Sequence, residues 1–336
     1  MEIYPDTKVY ILSPSHMLTG GPTSAHQLCY KLRLQNINAS MVFYKAPDVD
    51  ADALQVPKPY QKYNNPISEI IEDNERNILI LPEVFLTEPL NTAKMIRRAV
   101  WWLSVDNYIY GIYIAAHVFK RDDFFNIFSD ALIGKGLNFT HLTNSHYARE
   151  FLELLGIPRQ KVFKLESYID SVFTETPAQK NEAKTNTVIY NPKKDKAFIK
   201  KIMDFCRENG INNINFLPLE GLTPAEVSET FAKAKVYADF GNHPGRERMP
   251  REAVVNDCCV ITNLRGSAKY YGDIPIPEKY KFEDTPENIP AIVSGILNCF
   301  DNYDSCVKDF AEYKKFVQNL ESNFENQIKD IFQIAP

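Results

Sequence analysis

The sequence predicts an α/β protein of two domains, each built on a parallel sheet. Three observations carry this expectation. The chain has 336 residues, and roughly 150 residues per domain is the working prior for length. Short apolar, β-rich runs alternate with helix-period segments along the chain, the pattern of strand–helix–strand units. A polar stretch near the middle, Ser171–Thr185, carries Pro177 and interrupts that alternation, as an interdomain linker does. The expected divisions are 1–172, 186–310 and a C-terminal helix over 311–336.

Composition narrows the class. Hydrophobic residues make up 44% and charged residues 24%, ordinary for a globular protein. The net charge of −5 gives no global basic surface, which argues against nucleic acid as a partner. The six cysteines, at 29, 206, 258, 259, 299 and 306, show no zinc-type spacing and read as reduced, mostly buried thiols. MEIYPDTKVYILS lacks a basic segment before a long apolar core, so no signal peptide is expected. No apolar run reaches the roughly 18 residues of a membrane span. The expected location is the cytoplasm, with the inner face of the membrane open to it.

In the first half, strands are expected over Lys8–Ser13, Ala39–Tyr44, Asn77–Leu81, Ala99–Val105, Asn138–Thr143 and Lys161–Leu165, from their β-branched and apolar content. Helices are expected over Thr23–Gln35, Ile67–Ile71, Asn91–Arg98, Asp122–Phe128 and Ser145–Leu155. Asp48–Pro66 reads as a surface excursion. The loop Pro14–Thr23 holds Gly20 and Gly21 between a strand and a helix, where backbone N–H groups face a ligand; a plain flexible turn is the alternative. His16, Thr19 and Ser24 line that loop. Glu83 and Asp106 each follow a buried strand. Either is placed as a base for a hydroxyl proton, or as the cap of the next turn. Trp101 and Trp102 adjoin in one strand and point to opposite faces, a packing pattern.

In the second half, strands are expected over Asn186–Tyr190, Ile214–Leu217, Val236–Phe240 and Cys258–Thr262. Thr223 and Glu226 form a capping box for a helix to Ala234. Asp284 or Thr285 caps another helix, with Pro286 in its first turn. From Asp301 to Ile334 the chain reads as helical, with Phe310, Tyr313, Phe316, Val317 and Leu320 as a core-facing stripe. Lys193 and Lys194 open the helix that ends near Glu208, where cations oppose the helix dipole. That mismatch suits an anionic ligand; a solvated helix start is the other reading.

The richest stretch is Val236–Pro277. Two strands there end in loops carrying Asn242, His243, Arg246, Arg248, Arg265 and Ser267, and Pro250 opens a helix over Arg251–Asn256. Ligands of open α/β sheets bind beyond the carboxyl ends of the strands, and cations beside helix starts suit phosphate. Alternatively, Arg246–Arg251 is a solvated first turn, and Glu252 a carboxylate favoured by the dipole.

The run Pro250-Arg251-Glu252-Ala253, then Cys258–Ile261, then Gly266-Ser267 resembles the donor half of GT-B glycosyltransferases. There a Leu-Pro-x-x-Glu-Ala helix start precedes a small-residue–Pro–Val–Ile strand and a Gly-Gly loop. The resemblance implies two Rossmann-like domains facing across a cleft. It implies a metal-independent enzyme moving a sugar from a nucleotide-diphosphate donor to a glycan or lipid-linked acceptor, in synthesis of a surface polysaccharide. Glu252 would hold the ribose, Lys193, Lys194 and Arg246 the diphosphate, and Gly266 and Ser267 the donor through their backbone. Gly20, Gly21 and Asp106 would face the acceptor. Large retaining families of this fold carry a second glutamate about eight positions before the first; Pro244 stands there, leaving His243 or Glu247 as replacement and the stereochemistry open. No Asp-x-Asp motif, metal or further cofactor is expected. Lys94, Arg97 and Arg98 offer a small basic cluster for peripheral membrane contact. An epimerase or phosphorylase of the same fold, or a catalytically silent sugar- or nucleotide-binding protein, is the alternative. Nothing in the sequence gives an oligomeric state.

Overall fold

The computed structural model describes residues 1–15, 17–44, 56–85, 94–118, 139–174 and 183–335. The chain forms two compact units, Met1–Ser167 with Ser322–Pro336, and Tyr168–Glu321. Both are α/β and built on parallel sheets.

The first unit holds β1 (Glu2–Ile3), β2 (Lys8–Pro14), β3 (Asn38–Tyr44), β4 (Ile78–Pro82), β5 (Arg97–Trp102), β6 (Thr140–Thr143) and β7 (Val162–Lys164). Its main sheet runs β3-β2-β4-β5-β6-β7. Near-continuous burial of these strands is the signature of a sheet covered on both faces. The strand order reverses between β2 and β4, the place where open sheets leave a crevice. Trp101 and Trp102 are both buried; their indole N–H groups donate to the Leu165 carbonyl and to His141 Nδ1, each at 3.0 Å. Phe324 stacks on Trp101 at 6.0 Å, and β12 (Gln333–Ile334) pairs with β1.

Three local expectations are corrected here. The helix after β2 spans Gly20–Leu34, so Gly20 and Gly21 lie in its first turn rather than in a loop, with Thr19 as the extended residue before it. The Ile67–Ile71 segment is not helical; Ile67 instead bridges to Met41. The Asn91–Arg98 helix does not form over its described part, because the Asp73 carboxylate accepts the N–H groups of Lys94, Met95 and Ile96 at 2.8, 2.8 and 2.9 Å. Those donors are then lost to a helix, and Arg97 and Arg98 enter β5. The Asp122–Phe128 helix and His16 lie outside the described residues.

The second unit holds β8 (Thr185–Tyr190), β9 (Asn215–Pro218), β10 (Ala234–Asp239) and β11 (Cys259–Thr262), ordered β11-β10-β8-β9. Here the order reverses between β8 and β10. The Thr223–Glu226 capping box forms in full. The long C-terminal helix is instead broken into Tyr303–Cys306, a 3-10 turn, Ala311–Gln318 and Leu320–Ile331. Its stripe is buried at Phe310, Tyr313, Val317 and Leu320. All six cysteines are buried and unpaired. Among the described residues, no helix is long and apolar enough to cross a membrane.

Glu83 illustrates how a strand end sets a carboxylate in the core. It follows β4, is buried, and accepts the Leu103 N–H at 3.0 Å. Burial pushes its carboxyl up to about 7 from an ordinary 4.5, with backbone donors opposing. The fold therefore favours the protonated acid. Stability from this group is full below pH 4.5 and is lost as the pH rises through 7. We expect Glu83→Gln to gain on the wild type by about 3 kcal/mol between pH 4.5 and pH 8, from roughly 1.36 kcal/mol per pKa unit. Urea unfolding at both pH values measures the difference; a constant gap between the two proteins would show that Glu83 does not titrate in this window.

Candidate functional site

The carboxyl ends of three neighbouring strands of the second unit, β8, β10 and β11, carry most of the residues singled out in the sequence. After β8, Asn191 caps the Pro192–Glu208 helix by accepting the Lys193 N–H at 3.0 Å. The helix breaks at once: Asp195 has φ −134° and ψ 70°, and its carboxylate accepts the Phe198 N–H at 2.9 Å, a second cap. Lys193 and Lys194 thus sit on a separate turn ahead of the regular helix. The Lys193 side chain is exposed. Lys194 reaches across to the end of β10.

There Lys194 Nζ lies 2.9 Å from Asp239 Oδ1 and 3.5 Å from Glu247 Oε2. Asp239 is the last residue of β10 and is buried. Burial pushes its carboxyl up, but Lys194 at 2.9 Å and the Tyr237 hydroxyl at 3.0 Å outweigh that, so the group stays below its ordinary value. Burial also works against the Lys194 charge, and the two carboxylates overcome it. Gly241 permits this proximity. Its φ is +101°, and a Cβ there would stand 3.2 Å from both Lys194 Cβ and Asp195 Cβ.

The loop after β10 is fastened from within. His243 is fully buried, with Nε2 3.2 Å from the Asp239 carbonyl. Burial pushes its imidazole down to about 4, against the pull of Asp239, so the ring is neutral. Arg251 is also fully buried; its Nε donates to the Glu247 carbonyl at 2.9 Å and its Nη2 to that of Arg246 at 3.1 Å. Ser267, after β11, donates its N–H to the His243 carbonyl at 2.9 Å and its hydroxyl to that of Gly245 at 2.5 Å. Asn263 Nδ2 donates to the Gly241 carbonyl at 2.6 Å. Of the two caps expected before Pro286, Thr285 stands at the N-cap position, and Asp284 accepts from Arg265 Nε at 2.9 Å and from Asn263 Nδ2 at 3.2 Å.

These contacts revise several expected roles. His243 is a strut under the loop, sealed from any substrate that leaves the strand ends in place. Arg246 points inward to Asp273 at 2.8 Å and the Gly272 carbonyl at 3.1 Å, with its guanidinium over Phe316. A buried cation needs its counter-ion, so this side chain is not placed for a diphosphate. Ser267 has its N–H and hydroxyl engaged by the same loop, so it offers neither to a donor. Gly266 serves close approach: its φ is +49°, and a Cβ would fall 2.0 Å from the His243 carbonyl oxygen. In the first unit, Asp106 opens the Val105–Val118 helix and accepts from the Tyr147 hydroxyl at 2.7 Å. Gly20, Gly21 and Asp106 all belong to the first unit.

Glu252 lies in the first turn of the Met249–Val255 helix and is buried. Arg248 Nε stands 3.3 Å from its Oε1. Burial raises its carboxyl above the ordinary range; Arg248 and Arg251 offset part of this, and the charge of Asp170 adds to it. Glu252, Arg248, Glu247, Lys194 and Lys193 therefore form an arc of carboxylates and cations at the switch point between β8 and β10. Sequence reasoning missed Asp239 and Asp273. Each has its partner far along the chain, 45 positions away for Asp239 and 27 for Asp273, so no local pattern marks either. Among the described residues, no group of three or more His, Cys, Asp or Glu is arranged to hold a metal ion.

Gly266→Ala is expected to cost more than about 4 kcal/mol, since backbone must move to admit the methyl. Gly156 has φ +75° with open space around its Cβ position, so Gly156→Ala should cost only about 1–2 kcal/mol, the left-handed penalty alone. Equal losses in urea unfolding would refute the close approach at Gly266.

No family model and no curated protein matches this chain. Solved structures do. HepE from Anabaena in complex with UDP aligns at TM-score 0.62 and 11% identity, over 96% of this chain and 99% of that one. Sucrose-phosphate synthase from Thermosynechococcus elongatus aligns at 0.62 and 12%, over 97% and 98%. The lipopolysaccharide outer core galactosyltransferase WaaB aligns at 0.60 and 14%, over 97% and 99%. Near-complete coverage of both chains means that the two units and their order are shared, and the chain has the fold of the GT-B glycosyltransferases.

Proposed function

We propose that this chain is a glycosyltransferase that moves a sugar from a nucleotide-diphosphate donor to a hydroxyl acceptor in glycan or surface-polysaccharide synthesis. The observation that carries the reading is Glu252, a buried carboxylate in a helix first turn at the switch point of the second unit. In its ionised form it accepts hydrogen bonds from two vicinal ribose hydroxyls, and Arg248 beside it keeps that form accessible. Lys193 is exposed at the end of the neighbouring strand β8. Negative charge builds on the leaving diphosphate during transfer, and a preorganised cation stabilises it. Lys194 supplies a second cation behind the first. The UDP-bound HepE structure supports a nucleotide-sugar partner. On this reading the first unit presents the acceptor, with Asp106 as the carboxylate available to take its proton.

A thermal-shift screen of the full chain against nucleoside diphosphates and nucleotide-sugars tests the donor site. A ligand at 100 times its dissociation constant adds about 2.7 kcal/mol of stability. One base should stand out, and Glu252→Ala should abolish its shift while remaining folded by circular dichroism. No shift with any nucleotide would sink the donor assignment. Binding followed by release of nucleoside diphosphate only with an acceptor glycan supports transfer. Conversion of the sugar without acceptor would instead identify an epimerase, and binding without turnover across an acceptor panel a silent binding protein.

A further inference from the structure

Lys194 is the better buried of the two lysines and the only one held by carboxylates in this structure's ion pairs among the described residues. Its two partners differ. Asp239 is sealed, with no exposed side-chain surface. Glu247 keeps 25% of its side chain exposed and lies at 3.5 Å, the looser contact. Asp239 Oδ2 has no hydrogen-bond partner and faces His243 Nδ1, also without one, at 3.7 Å. The neutral ring with Nε2–H toward the Asp239 carbonyl leaves Nδ1 as an acceptor. Two acceptors therefore face each other behind the pair, and Asp239 has only Oδ1 engaged. Its charge stays concentrated on Lys194 and holds the ammonium in place. Glu247 sits on the open side, where an arriving anion would approach.

We propose, resting on the donor-site reading above, that Glu247 is a built-in competitor of the donor diphosphate for Lys194. An anion reaching Nζ has the Glu247 carboxylate as the group to displace, since Asp239 is anchored by Tyr237 on the same oxygen. The displaced carboxylate returns when the anion leaves. Glu247 thus lowers affinity for the nucleoside diphosphate product and hastens its departure, a step that limits turnover in many enzymes. Arg248 and Glu252, one turn on, keep their own pairing at 3.3 Å throughout, so the ribose contact is independent of the exchange. The geometry gives the carboxylate at position 247 this role rather than the role of a group bonded to the donor sugar.

Removing a carboxylate beside an anion site relieves repulsion and strengthens binding in any case, so the distinguishing feature is that the gain depends on Lys194. The test is isothermal titration of the full chain with UDP, GDP, ADP, CDP and dTDP, continued with the tightest. Glu247→Gln keeps the volume and, being part-exposed, is tolerated by the fold. It should bind that diphosphate roughly threefold or more tightly, the scale of losing a part-exposed ion pair. Lys194→Gln should bind it more weakly, and the double variant should show no gain over Lys194→Gln, which places the effect on this pair. Unchanged or weaker binding by Glu247→Gln, with the wild type binding normally, overturns the competition and leaves the donor site standing. A gain that persists in the double variant overturns it too. Absence of binding by the wild type to all five diphosphates overturns the donor-site reading, and the competition with it.

Discussion

The ion pair between Lys194 and Asp239, at 2.9 Å, is the interaction on which the second unit's strand ends depend. It joins the turn after β8 to the last residue of β10, across the point where the strand order reverses. Neither charge is tolerable alone in so buried a place; losing one partner of such a pair costs about 3–5 kcal/mol, because the other stays behind unpaired. The pair therefore fixes the distance between two strand ends that share only backbone hydrogen bonds below it. Gly241 then lays the loop after β10 against Lys194 and Asp195, at a positive φ of 101° and with 3.2 Å of room for a Cβ, a path that strains any other residue. Everything downstream, from the His243 strut to the carbonyls held by Arg251, is built on that path.

The two units use one topology and opposite chemistry at the same place. In the first, the reversal between β2 and β4 is flanked by the glycine start of the Gly20–Leu34 helix and by Glu83, whose burial favours its neutral acid. In the second, the reversal is flanked by Lys193, Lys194, Glu247, Arg248 and Glu252.

Much of this was legible in the sequence, for identifiable reasons. Buried parallel strands read as apolar runs, so β2, β4, β8, β10 and β11 were placed to within two residues. The Thr223–Glu226 box was read correctly because its two partners lie three residues apart. The failures share one cause, a partner far along the chain. Asp73 takes three N–H groups some twenty residues away and prevents a helix. Asp273 draws Arg246 inward across 27 positions. In each case a side-chain carboxylate outbid the local preference, and no window of sequence contains both ends of the contact.

The same reasoning bears on the missing second glutamate. The residue eight positions before Glu252 is Pro244, and the nearest carboxylate on that loop is Glu247. Sliding the role along by three positions would be reasonable if the loop were free to adjust. It is not. The Glu247 carbonyl is held by Arg251, the Gly245 carbonyl by Ser267 and the His243 carbonyl by the same serine's N–H. With that backbone pinned on both sides, the partner the Glu247 side chain finds in this structure is Lys194, at 3.5 Å. A transfer chemistry that relied on a second carboxylate at the sugar would have to draw it from elsewhere in the chain, or proceed with the leaving diphosphate itself as the base.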